Sequence, residues 1–274
     1  MQTTVKLFIL STLAYVSTVG LTQNGVAIPT APLPTATGNS LLLVLAAPKP
    51  GMDQAFESWY ANHLVEFTRI PGVLAARRNR LLPLAAIGIT LPPSLAMYEL
   101  DGARLDQIDA EVASRLKDGR ISRGEAVDYA GIITIKARPL GPALFARDVP
   151  GAAPEPLGSE GPVKEYQFIV FSDPTTSDVE KQYNDWYDHQ HMPDVLRVPG
   201  FVFAQRFIVT SASANSQTAR YFILFNLLSR DLSATNAEIR RRLREKITVP
   251  TTTMSNGTAS FMEPVGPAVL ASGG

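Results

Sequence analysis

The feature that most constrains this chain is a short motif that occurs twice, at residues 56–72 and 183–200. Each copy runs from an aromatic residue through a Trp-Tyr pair, a histidine, an acidic residue and an arginine to a Pro-Gly pair. The copies contain both tryptophans and all three histidines of the 274 residues. The interval from His63 to His191 is one position longer than that between the tryptophans, so the second copy has one extra residue between Trp and His. Rare residue types confined to a repeated segment predict a tandem duplication with its chemistry in the motif.

Composition is that of an ordinary globular protein and excludes several functional classes. Hydrophobic residues make up 45% of the chain and charged residues 18%, which is enough apolar material for a core. The 25 basic and 25 acidic residues balance to zero, so the sequence predicts no nucleic-acid partner and gives no support for attraction to anionic membranes. There are no cysteines, which excludes disulfides, thiolate nucleophiles, cysteine-ligated zinc and iron–sulfur clusters.

The N-terminus has the features of a secretory signal peptide. Lys6 precedes a mostly apolar run at 7–21, and residues 25–27 are small enough for a cleavage site. We therefore predict a signal peptide at 1–27, an extended Pro/Thr-rich leader at 28–39, and a secreted or periplasmic protein; an uncleaved N-terminus is the alternative. The apolar run is shorter than the roughly 20 residues that cross a bilayer, so no integral membrane span is expected.

Hydrophobic patterning predicts the same order of elements in both halves. An apolar run of strand length precedes each motif, the motif has helical spacing, and two strands, a second helix and a closing strand follow. This β-α-β-β-α-β order is ferredoxin-like. We expect one repeat at 40–142, a second at 163–268, and between them a linker at 143–162 that is rich in Pro, Gly and Ala. The predicted fold class is α+β, with the two repeats packed sheet to sheet around a cavity for a small ligand.

The two motifs differ in the helix that each predicts. In the first, His63 shares one helical stripe with the aromatic residues and points towards the sheet. In the second, Pro193 follows two residues after His191, and the residue before a proline disfavours helical geometry. We expect a helix from about Ser177 to end within 189–192, and a short helix to begin at Pro193. His191 would then lie at the break, a good position for a reactive side chain.

Most motif residues also have a purely structural interpretation. A histidine on an aromatic helix face is commonly a buried core residue, and Trp-Tyr pairs are commonly core as well. Arg197 has the spacing to pair with Asp194. His189 and His191 are two residues apart and face different directions on a helix, and no nearby residue completes a site, so no metal is predicted.

The second motif, at 183–201, resembles the EthD-like proteins of the dimeric α+β barrel superfamily. The shared pattern is an aromatic residue, a Trp-Tyr pair, His191-x-Pro193 and a Pro-Gly turn that enters a strand. The resemblance extends over about 100 residues of the second half. The first half matches through its Trp-Tyr pair, His63 and its Pro-Gly turn, but it has Val65 in place of the proline and lacks one residue.

The resemblance implies a fold and a pocket rather than a reaction. In this superfamily two ferredoxin-like units, usually from two chains, form a barrel with a ligand cavity. Here both units would belong to one chain, as a monomeric pseudo-dimer or a weak homodimer. Relatives include cofactor-free oxygenases, isomerases, polyketide cyclases and dehydratases, and some haem enzymes.

We therefore expect an exported enzyme without a cofactor that acts on a small hydrophobic, aromatic or polyketide-like molecule by isomerisation, cyclisation, dehydration or lyase chemistry. His191, with an ordinary pKa near neutrality, would be the general acid or base. Asp194 would orient its ring, and Tyr187 and Tyr60 would bind the substrate oxygen. The candidate catalytic residues are His191, Tyr187, Asp194 and His63, and the candidate substrate contacts are Trp186, Tyr183, Trp59, Tyr60 and Arg197.

Two alternatives remain open from the sequence. One is a haem enzyme of the same superfamily with His191 or His63 as the axial ligand. The other is a non-catalytic carrier of small hydrophobic molecules, which would retain its ligand unchanged.

Overall fold

The computed structural model describes residues 39–84, 88–158, 160–216 and 219–271, together with a short antiparallel pairing of Thr22–Gln23 with Val26–Ala27. The chain divides into two units at residue 31, and that pairing belongs to the first unit. The rest of the predicted signal peptide at 1–27 lies outside the described residues. The predicted leader at 28–39 also lies outside them, apart from its last residue.

The principal elements of the second unit occur in the order that the sequence predicts. In chain order they are β1 Ser40–Ala46, α1 Asp53–Thr68, β2 Val73–Leu81, β3 Ser94–Leu100, α2 Leu105–Asp118, β4 Ile133–Pro139, β5 Lys164–Pro174, α3 Glu180–Trp186, a π-helical turn Tyr187–His191, α4 Met192–Leu196, β6 Phe201–Ala212, β7 Tyr221–Ser229, α5 Leu232–Arg244 and β8 Met254–Pro264. Shorter strands lie at Leu144–Phe145 and Val269–Leu270, and 3-10 turns at Gly102–Arg104, Tyr129–Gly131, Ala146–Asp148 and Ser177–Val179.

Antiparallel pairing joins β1 to β8 into a closed barrel. The order around the ring is β1-β3-β2-β8-β5-β7-β6-β4, and β4 pairs with β1 again. Strands β1 to β4 are neighbours in one arc and β5 to β8 in the other. The arcs meet at two seams, where β2 pairs with β8 and β4 pairs with β6. The barrel part of the predicted fold is therefore confirmed.

Alternation along the strands sends one set of side chains into the barrel and the other towards the helices. The inward set is mostly apolar and comes from both arcs: Leu41, Leu43, Leu45, Leu95, Met97, Ile133, Ile135, Ala137, Ile169, Phe171, Phe207, Phe222, Leu224 and Met262. A cavity of about 20 Å³ lies beside Arg77, Glu99 and Gln167, which is room for about one water molecule. Side chains from both arcs pack in this space, and a ligand-sized cavity between the sheets is not shown for the described residues, so it stays a prediction.

The helices cover the outside of the barrel and form a separate core on each arc. Around α1 and α2 the core includes Phe56, Tyr60 and Phe67, and around α3 and α4 it includes Tyr183 and Tyr187. The motif histidines therefore lie in the layer between helix and sheet, not inside the barrel. Within the part of the chain that the structure describes, no helix has the length and apolar character needed to cross a membrane.

The segment 143–162 packs onto the second arc. Its short strand, Leu144–Phe145, pairs with Ala204 and Phe203 of β6. Ala146 and Val149 are buried against the core around α3 and α4. The connection between the arcs therefore contributes to the core that surrounds the second motif.

Candidate functional site

The helix of the second motif does not break at His191. Its backbone is helical there (φ −69°, ψ −47°), and a π-helical turn joins α3 to α4. The amide of Met192 donates to the carbonyl of Tyr187, five residues earlier. Pro193 lies at the start of α4, directly after the π-helical turn. The expected break was wrong because the extra residue of this motif widens one turn instead of ending the helix.

The π-helical turn gives the two motifs the same side-chain arrangement. The rings of Trp186 and His191 are stacked, with centroids 4.4 Å apart and planes at 24°. Those of Trp59 and His63 are 4.3 Å apart at 27°. A tyrosine approaches each imidazole edge-on, at 5.0 Å for Tyr187 and 5.9 Å for Tyr60. The motif tryptophans and histidines are thus brought together in pairs, one pair on each arc.

Both imidazoles are neutral at pH 7. Burial lowers the pKa of His191 to about 4, which Arg206 reinforces and Asp194 opposes. Burial also lowers the pKa of His63 to about 4, against the opposing effect of Glu66. Each ring is partly exposed, but its Nδ1 atom is buried and has no hydrogen-bond partner among the described residues. The expected pKa near neutrality is therefore wrong. At pH 7 each imidazole can accept a proton, but neither is an imidazolium that could donate one.

The tryptophan and the acidic residue of the second motif hold one residue of a distant loop. Residues 245–253, here called the C-terminal strap, follow α5. The indole Nε1 of Trp186 donates to the carbonyl oxygen of Val249 at 3.1 Å. The amide of the same Val249 donates to Oδ2 of Asp194 at 3.0 Å. The backbone carbonyl and the backbone amide of Val249 are therefore both hydrogen-bonded to the second motif.

The first motif makes the same contacts with the loop that follows α2, residues 119–126, here called the N-terminal strap. Trp59 Nε1 donates to the carbonyl of Ser122 at 3.3 Å. The amide of Ser122 donates to Oε2 of Glu66 at 2.9 Å. The interval from Ser122 to Val249 along the chain is the same as that between the two tryptophans.

Asp194 is not hydrogen-bonded to His191. Besides the Val249 amide, its carboxylate accepts from Gln190 Nε2 and Arg197 Nη1, each at 2.8 Å. Arg197 also donates to a backbone carbonyl at Pro150. The strap and two neighbouring side chains therefore bond the Asp194 oxygens, and the expected role of Asp194 in orienting the imidazole stays a prediction. Arg197 has the structural pairing that its spacing predicts.

The tyrosine hydroxyls of the second motif are engaged within the protein. The Tyr183 hydroxyl lies 2.8 Å and that of Tyr187 2.9 Å from Ser172 Oγ. Burial raises the pKa of Tyr183, Tyr187 and Tyr60, so all three stay protonated at neutral pH. Tyr183 and Tyr187 are therefore better placed to position the helix on β5 than to bind a substrate oxygen.

Two buried arginines belong to these sites and were not among the predicted residues. Arg206 of β6 has a side chain only 1% exposed, pairs with Asp188 at 2.8 Å, and lies 4.6 Å from the centroid of the Tyr187 ring. Arg78 of β2 lies 5.1 Å from the centroid of Tyr60. The interval between the two arginines equals that between His63 and His191, and this shared spacing is the signal that could have found them.

The geometry does not favour a haem site at these histidines. One face of each imidazole lies against an indole, and each Nδ1 atom is buried. A porphyrin iron could not reach Nδ1 without rearrangement of the helix layer. His189, the remaining histidine, has its Nδ1 3.0 Å from the carbonyl oxygen of Asp185. Across the described ranges, no group of three or more His, Cys, Asp or Glu side chains could hold a metal ion.

Comparison with known proteins identifies the fold. No family model and no curated protein matches this sequence. Among solved structures, an anthrone oxidase-like protein matches with a TM-score of 0.53 at 15% identity, over 87% of this chain and 96% of that one. A proposed monooxygenase from Fusobacterium nucleatum gives 0.48 at 10% identity, over 86% and 96%. A mutant chlorite dismutase from Candidatus Nitrospira defluvii gives 0.48 at 11%, over 84% and 92%. The anthrone oxidase-like protein shares its fold with this chain, and the barrel described above is of the dimeric α+β kind.

Proposed function

We propose that this chain is an EthD-like enzyme without a cofactor, in which His191 is the general base acting on a small aromatic or polyketide-like molecule. The observation that carries the proposal is the state of His191: a neutral, partly exposed imidazole that is stacked on Trp186 and makes no Nδ1 hydrogen bond to any residue that the structure describes. A π-helical turn within a helix is frequently associated with function, and here it carries this histidine.

The chemistry that fits this geometry begins with proton abstraction next to a carbonyl. The C–H proton passes to the imidazole, and the electron pair left behind becomes an enolate on the substrate. Arg206 and the edge of Tyr187 lie close enough to influence a negative charge at this position. Asp194 favours the imidazolium that forms, since its charge raises the pKa of His191. Return of the proton elsewhere gives isomerisation, and loss of a leaving group gives dehydration or lyase chemistry.

The same proposal includes a tandem duplication and a single-chain pseudo-dimer. Support comes from matched pairs that repeat the interval of the two tryptophans or of the two histidines, namely the strap residues Ser122 and Val249 and the two buried arginines. The stacked Trp-His rings form in both arcs as well. His63 is then a second general base on the first arc. The apolar run at 7–21 supports export as part of this proposal.

Proton exchange provides a direct test that does not depend on knowing the final product. The purified chain is incubated in D₂O with anthrone and related aromatic ketones, and loss of the acidic C–H signal is followed by NMR. Anthrone is the first probe because a solved structural neighbour is named for that chemistry. In a His63→Gln background, which removes the proposed second base, we expect His191→Gln to lower the enzymatic exchange rate by roughly 10²-fold or more.

His189→Gln is the matched control, because His189 is exposed and bonds only a backbone carbonyl. It should exchange at the wild-type rate. If adding His191→Gln to His63→Gln leaves the exchange rate unchanged, with the variant folded, His191 is ruled out as the base. Tight binding of the probes with no exchange in any protein indicates a carrier instead.

A further inference from the structure

The end of α5 and the C-terminal strap form a surface that is both apolar and cationic. Its apolar side chains are Leu243, Ile247 and Val249, which are 49%, 46% and 40% exposed, and its exposed cations are Arg240, Arg244 and Lys246. These six residues are here called the strap surface. Residues 240–250 hold five basic residues and one acidic residue, although the whole chain has a net charge of zero.

The residues of this surface are held together by the turn that ends α5. The amide of Lys246 donates to the carbonyl of Leu243, and the amide of Ile247 donates to the carbonyl of Arg242. Two neighbouring arginines are paired with acidic residues: Arg241 with Glu238 and Glu245, and Arg242 with Glu238. By contrast, the three exposed cations make no ion pair with any other residue that the structure describes. Their charge is therefore available to a partner.

The first arc provides an internal comparison. When the chain is shifted back by the interval between the two tryptophans, Lys246, Ile247 and Val249 correspond to Gly119, Arg120 and Ser122. The backbone at Gly119 and Lys246 is left-handed in both cases, with φ of 81° and 57°. Glycine adopts that geometry easily, whereas lysine does so at a cost. The second strap thus has the same local geometry, but it carries a cation and two exposed apolar residues that folding alone does not require.

We propose that the strap surface docks on an anionic lipid bilayer. The apolar side chains enter the interface between headgroups and acyl chains, and the three unpaired cations engage lipid phosphates. Charge complementarity favours this occupant, because free cations around a small apolar tip match a negatively charged interface better than an uncharged protein face. Docking of the strap surface on lipid does not depend on the proposed reaction.

Docking at this surface has a consequence for the second motif. Val249 lies on the strap surface, and its backbone is bonded to Trp186 and Asp194 on either side of His191. A bilayer bound there is next to the segment that is hydrogen-bonded to Trp186, whose indole stacks on the imidazole. A hydrophobic molecule dissolved in the lipid would therefore be delivered beside His191.

Vesicle co-sedimentation of the full chain tests the proposal. We expect the protein to bind vesicles of phosphatidylcholine with about 30% phosphatidylglycerol at least tenfold more strongly than pure phosphatidylcholine at low salt, since each cation at an anionic surface strengthens binding several-fold. The key variant is Lys246→Gly, Ile247→Arg, Val249→Ser, which installs the residues of the first arc and leaves the net charge unchanged. Its binding should fall at least tenfold. Arg240→Gln with Arg244→Gln should also bind about tenfold more weakly and show a shallower dependence on salt.

Leu270→Ser is the matched control, because Leu270 is 55% exposed at a distant strand, and it should bind like the wild type. Residues 1–27 are present in every protein, so differences between variants report on the strap surface.

If the triple variant fails to fold by circular dichroism, Leu243→Ser tests the same contact alone. Equal binding of wild type to both vesicles, or unchanged binding of the strap variants, overturns the proposal. So does wild-type self-association through these residues without vesicle binding, which identifies a protein interface.

Discussion

The indole of Trp186 and the imidazole of His191 are stacked 4.4 Å apart although they are five residues apart in sequence. Trp59 and His63 form the same stack at 4.3 Å with a separation of four residues, which is the usual spacing of neighbours on an α-helix. The π-helical turn at Tyr187–His191 accounts for the difference, since it accommodates one more residue per turn. The second helix thus gains a residue without losing the side-chain pair.

Deletion of one residue from this turn should therefore be tolerated. Removing His189, which is exposed, converts the π-helical turn to α-helix and leaves Trp186 and His191 four residues apart, as in the first motif. We expect a folded protein whose free energy of unfolding falls by no more than a few kcal/mol. Urea unfolding followed by tryptophan fluorescence measures the change.

Deletion of the exposed Ala61 is the matched control, because α1 has no π-helical turn to absorb the change. It rotates everything after residue 60 by about 100° about the helix axis and should prevent the first arc from packing. Equal damage from the two deletions would contradict this account of the π-helical turn.

The ties between motif and strap can be tested one arc at a time. Trp186→Phe keeps an aromatic ring beside His191 but removes the donor to the Val249 carbonyl. We expect the free energy of unfolding to fall by about 0.5–1.5 kcal/mol and the Val249 amide to exchange its hydrogen faster. Hydrogen–deuterium exchange should show no change at the Ser122 amide. Trp59→Phe should give the reverse pattern, and faster exchange at both straps from either variant would refute independent ties.

Gly124 packs directly against Trp59. A Cβ atom there would lie 2.6 Å from Cδ2 of the indole, which is closer than atoms of the two groups can approach. Gly124→Ala should therefore displace the indole and destabilise the protein by about 1–3 kcal/mol. Gly257→Ala is the control, because a Cβ at Gly257 meets nothing within 4 Å. A neutral Gly124→Ala in thermal unfolding would show that the Trp59 side chain adapts easily.

The two histidines should make stability depend on pH in a defined window. Their pKa is about 4 in the folded chain and about 6.5 when unfolded, so the unfolded state binds more protons between these values. Stability is then fully present above pH 6.5 and is lost as the pH falls towards 4, by on the order of 1–3 kcal/mol per histidine. Urea unfolding at about pH 7 and about pH 4.5 measures the loss. His191→Phe, which keeps a ring, should lose less unfolding free energy over this pH range than the wild type does. Equal losses would contradict the assignment to His191.

Element order and the helix face of each motif could be predicted from the sequence, because apolar periodicity is a local property. The π-helical turn could not, because an inserted residue followed by Pro193 is also the pattern of a helix that ends. The packing of side chains inside the barrel could not be predicted either. Periodicity shows which residues point inward, but not whether inward side chains from two arcs leave space between them.

The roles of Trp186 and Asp194 escaped prediction for a different reason. Both hold Val249, which lies beyond β6, β7 and α5 along the chain, and nothing in the local pattern names that partner. An acidic residue three positions after a histidine was therefore interpreted as a partner of the imidazole. Arg206 was overlooked because a charged residue in a strand is usually exposed, whereas this one is buried between aromatic rings and Asp188.

The two seams of the barrel determine how folding would depend on protein concentration if the arcs were separate chains. Because β2 pairs with β8 and β4 with β6, either arc alone would present two unpaired strand edges, which bind other strands readily. Two separate copies of one arc could close the ring only by meeting in solution, so their folding would weaken on dilution. A single chain removes that dependence, since the second arc is always present at the high effective concentration set by the connecting segment. It also allows the two arcs to carry different residues after their motif histidines, as Val65 and Pro193 show.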